Sequence, residues 1–337
     1  MKNTQIVKLG DFYSMFRNKD YSFETIYDGD MFMAYPRYFN DPFDCMFFIE
    51  RCEFEIEYLK KFYGENIIDD ELIDTTIKSK NNSIFYQIEL LKSLTNVNIN
   101  RNLEKYADLF KLNLEQIKKN CHALLKKYID KLDDIRNKYG VACFTLNKPT
   151  ENMVMWAHYA DNYDGFCCKF NFGSIKLEPS KRATYKDYLI KHFNKVKYTT
   201  NFKQLSCKKL LNINLDDLYN NKYVNDYISK TLYKKHAQWR YENEYRLVID
   251  RTTCPYVVSE NNNGFKIKFK YLRELFIYAS KRSLQKELVV REIAKKYNVK
   301  YFKLVNRRGQ VGLQEDKSEI NEHNKNIDLH KYIDDNE

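Results

Sequence analysis

The chain has 337 residues, of which 43% are hydrophobic and 15% are aromatic. With only 9 Gly and 5 Pro, it falls outside the collagen-like, linker-rich and low-complexity classes, and it is long enough for one large domain or two small ones. The formal net charge of +11 permits nucleic acid, acidic membranes or anionic small molecules as partners. A lysine-rich solvated surface explains the same charge more simply.

No apolar run reaches the roughly 18 residues that a transmembrane helix needs. Residues 1–16 also lack the apolar stretch and the cleavage site of a secretory signal, so we expect a cytoplasmic protein without membrane association. The eight cysteines fit that compartment. Because no CxxC pair occurs, and because His122 beside Cys121 has no second pair at zinc spacing, we expect neither disulfides nor a bound metal.

Residues 5–50 are predicted to form short strands separated by turns. Residues 27–30 (YDGD) give a turn signal, and residues 31–35 form an apolar strand that a proline ends. A first cluster of aromatic and acidic residues, 39–44 (FNDPFD), follows at once. Its Asn-Asp-Pro sequence favours extended or turn geometry.

Residues 51–138 are predicted to form an all-helical insertion of about four helices, since glycine and proline nearly vanish and apolar residues recur at helical spacing. The clearest stripe alternates steps of three and four, as on a long amphipathic helix. Its members are Leu114, Ile117, Cys121, Leu124, Tyr128, Leu132 and Ile135. We expect this stripe to be core; a partner-binding surface is the alternative.

The insertion is followed by a predicted strand at 141–146 and a predicted helix at 151–161 that Thr150 would cap. This helix carries the second cluster, residues 155–161 (MWAHYAD). A further strand is predicted at 166–172, where every second residue is apolar and one face is therefore expected in the core.

Residues 181–209 are rich in lysine with interleaved aromatics, a pattern that suits single-stranded nucleic acid but is more typical of a solvated amphipathic segment. Residues 212–236 are predicted to be helical. The third cluster, residues 239–246 (WRYENEYR), leads into a predicted strand at 241–249. Period-two spacing would place Glu242, Glu244 and Arg246 on one face of that strand.

The last part of the chain is predicted to alternate strands with one helix. Strands are expected at 265–269, 275–279 and 300–305, a helix at 284–297, and a charged mobile tail at 307–337, where apolar residues thin out. The predicted organisation is therefore an α+β core domain (1–50 and 139–306), the helical insertion (51–138) and the tail.

Taken in order, the three clusters resemble a family of uncharacterised bacterial proteins, domain of unknown function 2971. The resemblance covers about residues 1–50 and 140–280 and leaves the insertion outside. The arrangement looks, more distantly, like the ADP-ribosyltransferase superfamily. That likeness implies a mixed or antiparallel split sheet, with NAD as a substrate. In that superfamily a glutamate on a late strand holds the nicotinamide ribose and stabilises an oxocarbenium-like transition state.

Glu244 and Glu242 are the first candidate catalytic residues. They can orient a ribose hydroxyl, stabilise positive charge at the anomeric carbon, or serve as a general acid or base. The alternative is a structural carboxylate pair neutralised by Arg240 and Arg246. His158 is a third catalytic candidate, with a capping or core hydrogen bond as its alternative.

The residues expected to hold NAD come from all three clusters: Asn40, Asp41, Trp156, Tyr159 and Arg246. Trp156 and Tyr159 can sandwich a flat ring, although Trp156 is better explained as core. Asn40 and Asp41 can bind ribose hydroxyls, or can instead cap the next segment in an Asx turn.

We therefore expect one pocket, built from the three clusters, that binds a nucleotide-like small molecule. The preferred function is NAD-dependent ADP-ribosyl transfer or NAD glycohydrolysis, as a toxin or antiphage effector with a protein or nucleic-acid acceptor. A non-catalytic nucleotide sensor or interaction module is one alternative. A magnesium-dependent nuclease using Asp41, Asp44, Glu242 and Glu244 is another. Rossmann, P-loop and α/β-hydrolase glycine motifs are absent from the sequence.

Overall fold

The chain forms two compact units. The computed structural model describes residues 5–8, 11–17, 19–95, 105–171, 174–177, 184–278 and 284–316. The first unit comprises Met1–Asp44, Lys138–Thr199 and Tyr233–Glu337, and the second comprises Cys45–Asn137 and Thr200–Leu232. Residues 200–232 were expected in the α+β core, and their contacts assign them to the second unit instead.

The strands of the described chain all belong to the first unit. They are β1 (Gln5–Lys8), β2 (Asp11–Phe16), β3 (Asp30–Ala34), β4 (Tyr139–Thr145), β5 (Phe166–Asn171), β6 (Ser174–Leu177), β7 (Phe193–Lys195), β8 (Lys197–Thr199), β9 (Lys234–His236), β10 (Glu244–Asp250), β11 (Val257–Asn261), β12 (Gly264–Lys268), β13 (Leu272–Tyr278), β14 (Lys300–Arg307) and β15 (Gln310–Glu315).

The helices are divided between the two units. They are α1 (Asp20–Tyr27), α2 (Arg51–Tyr63), α3 (Asp70–Lys78), α4 (Ile84–Thr95), α5 (Ala107–Phe110), α6 (Leu114–Arg136), α7 (Met153–Tyr159), α8 (Tyr185–Lys191), α9 (Cys207–Leu211), α10 (Lys222–Thr231) and α11 (Leu284–Lys296). Short 3-10 helices span Pro36–Tyr38, Leu215–Asn220 and Ala237–Glu242. Helices α1, α7, α8 and α11 belong to the first unit.

One large sheet organises the first unit. Among the described strands its order is β11-β12-β3-β4-β2-β5-β13-β14-β15, with β10 paired to β4 and β7 paired to β10. Among the described strands of this sheet only the β13–β14 pairing is parallel, and α11 provides the crossover that a parallel pair requires. The other pairings within the described sheet are antiparallel. The expectation of an α+β core with a mixed or antiparallel sheet is confirmed, and the described sheet is largely antiparallel.

Strand β5 is buried on both of its faces. Phe166, Cys168 and Phe170 lie in the larger apolar core, as their alternation predicted. Cys167 lies in a second, smaller core with Trp156 of α7. Since α7 covers this second face, the sheet fixes the position of the helix that carries the second cluster.

The described part of the second unit is helical. In α6 the predicted stripe is buried at six of its seven positions, and Leu124 is half-buried. Side-chain oxygens of Glu50, Asp69 and Asn113 cap α2, α3 and α6 respectively. No described helix has both the length and the apolarity needed to cross a membrane.

Several predicted boundaries were wrong. Helix α1 lies within the segment expected to hold only strands. Asn152, rather than Thr150, caps α7 by accepting from the backbone N–H of Met155. Residues 212–236, expected as one helix, form a 3-10 helix, α10 and β9. The predicted strand ends at Phe172 and Ala279 lie outside the described residues.

The sheet continues into the segment expected to be a tail. Strand β15 pairs antiparallel with β14 from Gln310 to Glu315, so residues 310–315 are part of the fold. The Arg291 guanidinium donates to Asp316 at 2.6 Å and ties the end of β15 to α11. Residues 317–337 of the predicted tail lie outside the described residues.

Candidate functional site

A cavity of about 580 Å³ opens within the first unit, and residues of all three clusters line it. The first cluster contributes Asn40, the second contributes Tyr159, and the third contributes Glu242 and Glu244. The predicted convergence of the clusters on one concave site is confirmed. The volume lies in the range typical of small-molecule and cofactor sites.

The two glutamates of the third cluster lie side by side because the chain turns sharply between them. Glu242 ends the 3-10 helix Ala237–Glu242, and Glu244 begins β10, so the expectation of one continuous strand from 241 was wrong. Asn243 has a left-handed φ of 46°, which asparagine tolerates better than most residues. The Thr145 hydroxyl on β4 donates to the Glu242 carbonyl and anchors this turn.

Glu242 is buried and accepts a hydrogen bond on each carboxylate oxygen. Its side chain receives the Tyr159 hydroxyl at 2.7 Å and the Lys235 ammonium at 2.6 Å. Burial raises the pKa of Glu242, and neighbouring Glu244 adds to the increase, while Lys235 offsets part of it. Glu242 therefore takes up a proton more readily than Glu244, which Arg246 and Lys235 keep ionised.

Glu244 is equally buried but has the opposite electrostatics. The Arg246 Nε donates to it at 2.7 Å, and Lys235 donates at 3.2 Å. Burial opposes ionisation, but Arg246 and Lys235 outweigh it and lower the pKa of Glu244 to about 2. Neighbouring carboxyls whose pKa values are pushed apart are typical of acid–base sites, where one group stays ionised and the other exchanges protons.

Asp44 completes the buried charge cluster. Its carboxylate accepts from the Arg246 Nη2 at 2.6 Å and lies 3.5 Å from the Lys235 ammonium. Three carboxylates thus surround one ammonium, at the point where the nuclease alternative would require a metal ion. Among the described residues no group of His, Cys, Asp and Glu has the arrangement of a metal site.

The walls of the cavity are aromatic and its polar groups are spread around them. The aromatic residues are Tyr13, Tyr21, Phe32, Tyr38, Phe39, Phe144 and Tyr159. The uncharged polar groups include Ser14, Thr25, Asn40, Asn261 and Asn263, and the cations besides Lys235 are Arg17 and Lys266. Such a lining can stack flat rings, bind hydroxyls and attract anionic groups.

Four other candidates lie outside the wall of this cavity. Trp156 is fully buried and donates its indole N–H to the Pro149 carbonyl at 2.8 Å, so its role is core packing. His158 is exposed on the outer side of α7, where its ring meets Trp239 edge-on. The expectation that Trp156 and His158 contact a ligand in this cavity does not fit these positions.

Asp41 and Arg246 have structural partners. The Asp41 carboxylate accepts from the Phe43 backbone N–H at 2.9 Å, which is the Asx turn that was the alternative for this residue. Arg246 is fully buried behind Glu244. Its guanidinium also lies over the ring of Phe39, 5.7 Å from the centroid, and therefore shapes the site indirectly.

Sequence reasoning missed Lys235 and Cys143. Cys143 on β4 is the exposed member of the eight cysteines, and its side chain opens into the cavity. The packed surroundings raise the pKa of its thiol, and Glu244 adds to this effect. Lys235 stood in a lysine-rich stretch with no pattern to separate it from surface lysines, so only the structure could identify it.

Comparison with known proteins leaves the activity open. No curated protein and no solved structure matches the chain. Residues 155–247 match the family described as Protein of unknown function (DUF2971). This match begins in the second cluster and ends just after the third, and the first cluster lies outside it. The resemblance of this chain to the DUF2971 family is thus confirmed over residues 155–247.

Proposed function

We propose that the cavity binds NAD and is the active site of an NAD-dependent ADP-ribosyltransferase or NAD glycohydrolase. The observation that carries the proposal is the pair Glu242 and Glu244, which have opposite pKa shifts and lie at the base of one aromatic-lined cavity. The acceptor would be water, a protein or a nucleic acid, as expected of a toxin or antiphage effector.

The lining suits each part of a dinucleotide. Aromatic walls favour stacking of nicotinamide or adenine. The guanidinium of Arg17 and the ammonium of Lys266 can attract phosphates. Asn40 and the carboxylates can bind ribose hydroxyls. Because the cluster of Asp44, Glu242, Glu244, Lys235 and Arg246 has one net negative charge when all five are ionised, it favours a positively charged nicotinamide ring nearby.

The proposed chemistry is cleavage of the bond between the nicotinamide nitrogen and the anomeric carbon of ribose. The bonding electrons leave with nicotinamide, and the anomeric carbon gains positive charge. Ionised Glu244 would stabilise this charge through its preorganised field. Water or an acceptor group then attacks the carbon, and Glu242 would take the proton that the attacking group loses.

The proposal includes an ADP-ribosyltransferase-like arrangement of the sheet. In its support, Glu244 begins a late strand, β10, Glu242 lies two residues before it, and α7 supplies the aromatic Tyr159 that donates to Glu242. This likeness of arrangement supports the proposed activity, and nicotinamide release tests it.

The test is nicotinamide release by the purified full-length chain incubated with NAD, followed by chromatography. We expect release from the wild type and a loss on the order of 100-fold or more in E242Q, because the amide cannot accept the proton. E151Q is the matched control, since Glu151 is exposed and lies outside the cavity; we expect no change in it. Absence of release from the folded wild type, or full activity of E242Q, would contradict the proposal.

One observation favours a non-catalytic nucleotide sensor as second candidate. Both oxygens of Glu242 already accept hydrogen bonds from Tyr159 and Lys235, as expected of a carboxylate with a purely structural role. The sensor predicts that NAD binds, by calorimetry, without nicotinamide release. The same samples incubated with labelled DNA or RNA and magnesium test the nuclease alternative, which the position of Lys235 disfavours.

A further inference from the structure

Lys235 is a buried lysine in the wall of the cavity. It lies on the short strand β9, and its side chain is only 5% exposed. Its ammonium lies 2.6 Å from Glu242, 3.2 Å from Glu244 and 3.5 Å from Asp44. The ring of Trp239, in the third cluster, lies 4.9 Å from the same ammonium.

Burying an ammonium group is costly unless it is paired and hydrogen-bonded. An ammonium has three donors, and here three carboxylates face it. For Lys235 the penalty of burial is outweighed by Glu244, Asp44 and Glu242, which raise its pKa well above the ordinary value. The lysine is therefore charged at neutral pH.

Lys235 bridges two carboxylates that would otherwise repel each other. Arg246 donates hydrogen bonds to Glu244 and Asp44, whereas Lys235 donates to both Glu242 and Glu244. On the other side of Glu242 the Tyr159 hydroxyl supplies a hydrogen bond without a charge. Lys235 thus places a positive charge in direct contact with the Glu242 carboxylate.

Building on the proposed function, we propose that Lys235 is a positioning residue that holds Glu242 beside Glu244 and keeps Glu242 ionised, ready to accept a proton. Without this ammonium, Glu242 would face Glu244 with only the Tyr159 hydroxyl as partner. The pKa of Glu242 would then rise further, and its carboxyl would be less available as a base.

Other titratable or charged side chains also face Glu242 and Glu244. They are Asp44, Cys143, Tyr159, Tyr198, Tyr241 and Arg246. Desolvation in the packed wall of the cavity raises the pKa of Cys143, and burial raises the pKa of each of the three tyrosines, so these four are neutral at neutral pH. Lys235, Arg246 and the carboxylates therefore set the field at Glu242.

The test is a pH titration of the Glu242 carboxyl carbon by NMR, in the full-length chain labelled with carbon-13 glutamate. The resonance is assigned by its loss in E242Q. We expect K235M, which keeps the length of the side chain and removes the charge, to raise the titration midpoint of Glu242 by about 1–3 pH units. An unchanged midpoint in folded K235M would overturn the proposal.

D44N is the matched control. It also removes a charge that lies 3.5 Å from Lys235, but this charge is negative, so we expect the Glu242 midpoint to stay close to the wild type or to fall, and not to rise. If K235M does not fold, K235M/D44N replaces it, since this pair removes one buried charge of each sign. The upward shift is expected there too. Failure of both variants to fold would make Lys235 a requirement of the fold and overturn a positioning role.

The titration needs no turnover of NAD, so the two proposals can fail separately. A wild type that releases no nicotinamide, but whose Glu242 midpoint rises in K235M, would contradict the proposed function alone. Nicotinamide release with an unchanged midpoint would contradict the role of Lys235 alone. In an active enzyme, K235M should also move the acidic limb of the pH–rate profile upward, whereas a merely structural lysine would leave that limb in place.

Discussion

Glu244 has two functions in the structure: it lines the cavity, and it neutralises the buried Arg246. The second function dominates its energetics, because Arg246 is fully buried and Glu244 is 3% exposed. Removing one partner of a buried ion pair leaves an uncompensated charge in the interior. Glu244 is therefore a residue in which stability and chemistry are difficult to separate.

We predict that E244Q lowers the free energy of unfolding by about 3–5 kcal/mol, the usual cost of breaking a buried pair. The measurement is urea denaturation at neutral pH, with E151Q as the exposed control that should change little. An E244Q protein as stable as the wild type would show that Arg246 finds other compensation. Glu244 would then be dispensable for the fold.

The pH dependence gives the same prediction an internal check. The pKa of Glu244 is lowered to about 2 from an ordinary 4.5, so the folded state favours its ionised form. Its contribution to stability is therefore fully present above the ordinary pKa and is lost as the pH falls towards about 2. The gap in stability between wild type and E244Q should narrow as urea titrations are moved from neutral to acidic pH.

Individual residues were predictable where their chemistry was local. The placement of Asn40, Tyr159, Glu242 and Glu244 in one pocket followed from three clusters with similar composition. The role of Lys235 was not predictable. One of its partners, Asp44, lies in the first cluster, and the other two, Glu242 and Glu244, flank a turn whose geometry the sequence did not show. The period-two spacing of a strand also gave no sign of the left-handed backbone at Asn243, which places the two glutamates in different elements.

At the scale of elements, the site depends on close packing where α7 meets strand β2. Gly165 begins the return from α7 into β5, and a Cβ there would lie 2.1 Å from the Phe16 carbonyl oxygen and 2.8 Å from Ala160 Cα. Both obstacles are backbone atoms, which cannot swing aside as a side chain can. Only glycine allows this approach.

We predict that G165A destabilises the fold by roughly 1–3 kcal/mol or more, as overpacking does, and displaces α7 with Tyr159. G312A is the matched control, because there the nearest atoms belong to the flexible Arg307 side chain. We expect its stability to stay within about 0.5 kcal/mol of the wild type. Thermal unfolding of both variants gives the comparison, and equal melting of G165A and wild type would contradict the packing described here.

The elements were predictable to different degrees for physical reasons. Strong periodicity correctly indicated α6 and one face of β5. Helix α1 was missed because its eight residues have no capping side chain and follow a strand closely. Strand β15 was missed because most of its residues are exposed, so its place depends on pairing with β14 rather than on burial.

At the scale of the whole molecule, the sequence allowed the separation of a helical unit from a sheet-based unit but not its boundaries. Residues 200–232 belong to the helical unit, although the segments before and after them belong to the sheet-based unit. No local sequence pattern indicates this change. The site is built entirely within the sheet-based unit, from residues far apart in sequence. The chemistry of the site can therefore be tested with variants of the intact chain.

Binding of NAD in this cavity can be measured at Cys143. Its thiol opens into the cavity beside Glu244, while the half-buried Cys254 lies outside the cavity and serves as an internal reference. The rate of alkylation of each cysteine by iodoacetamide, at alkaline pH because the pKa of Cys143 is raised, can be followed by peptide mass spectrometry. We predict that NAD slows alkylation of Cys143 in proportion to occupancy and leaves the rate at Cys254 unchanged. Equal rates at Cys143 with and without millimolar NAD would show that NAD does not bind in this cavity.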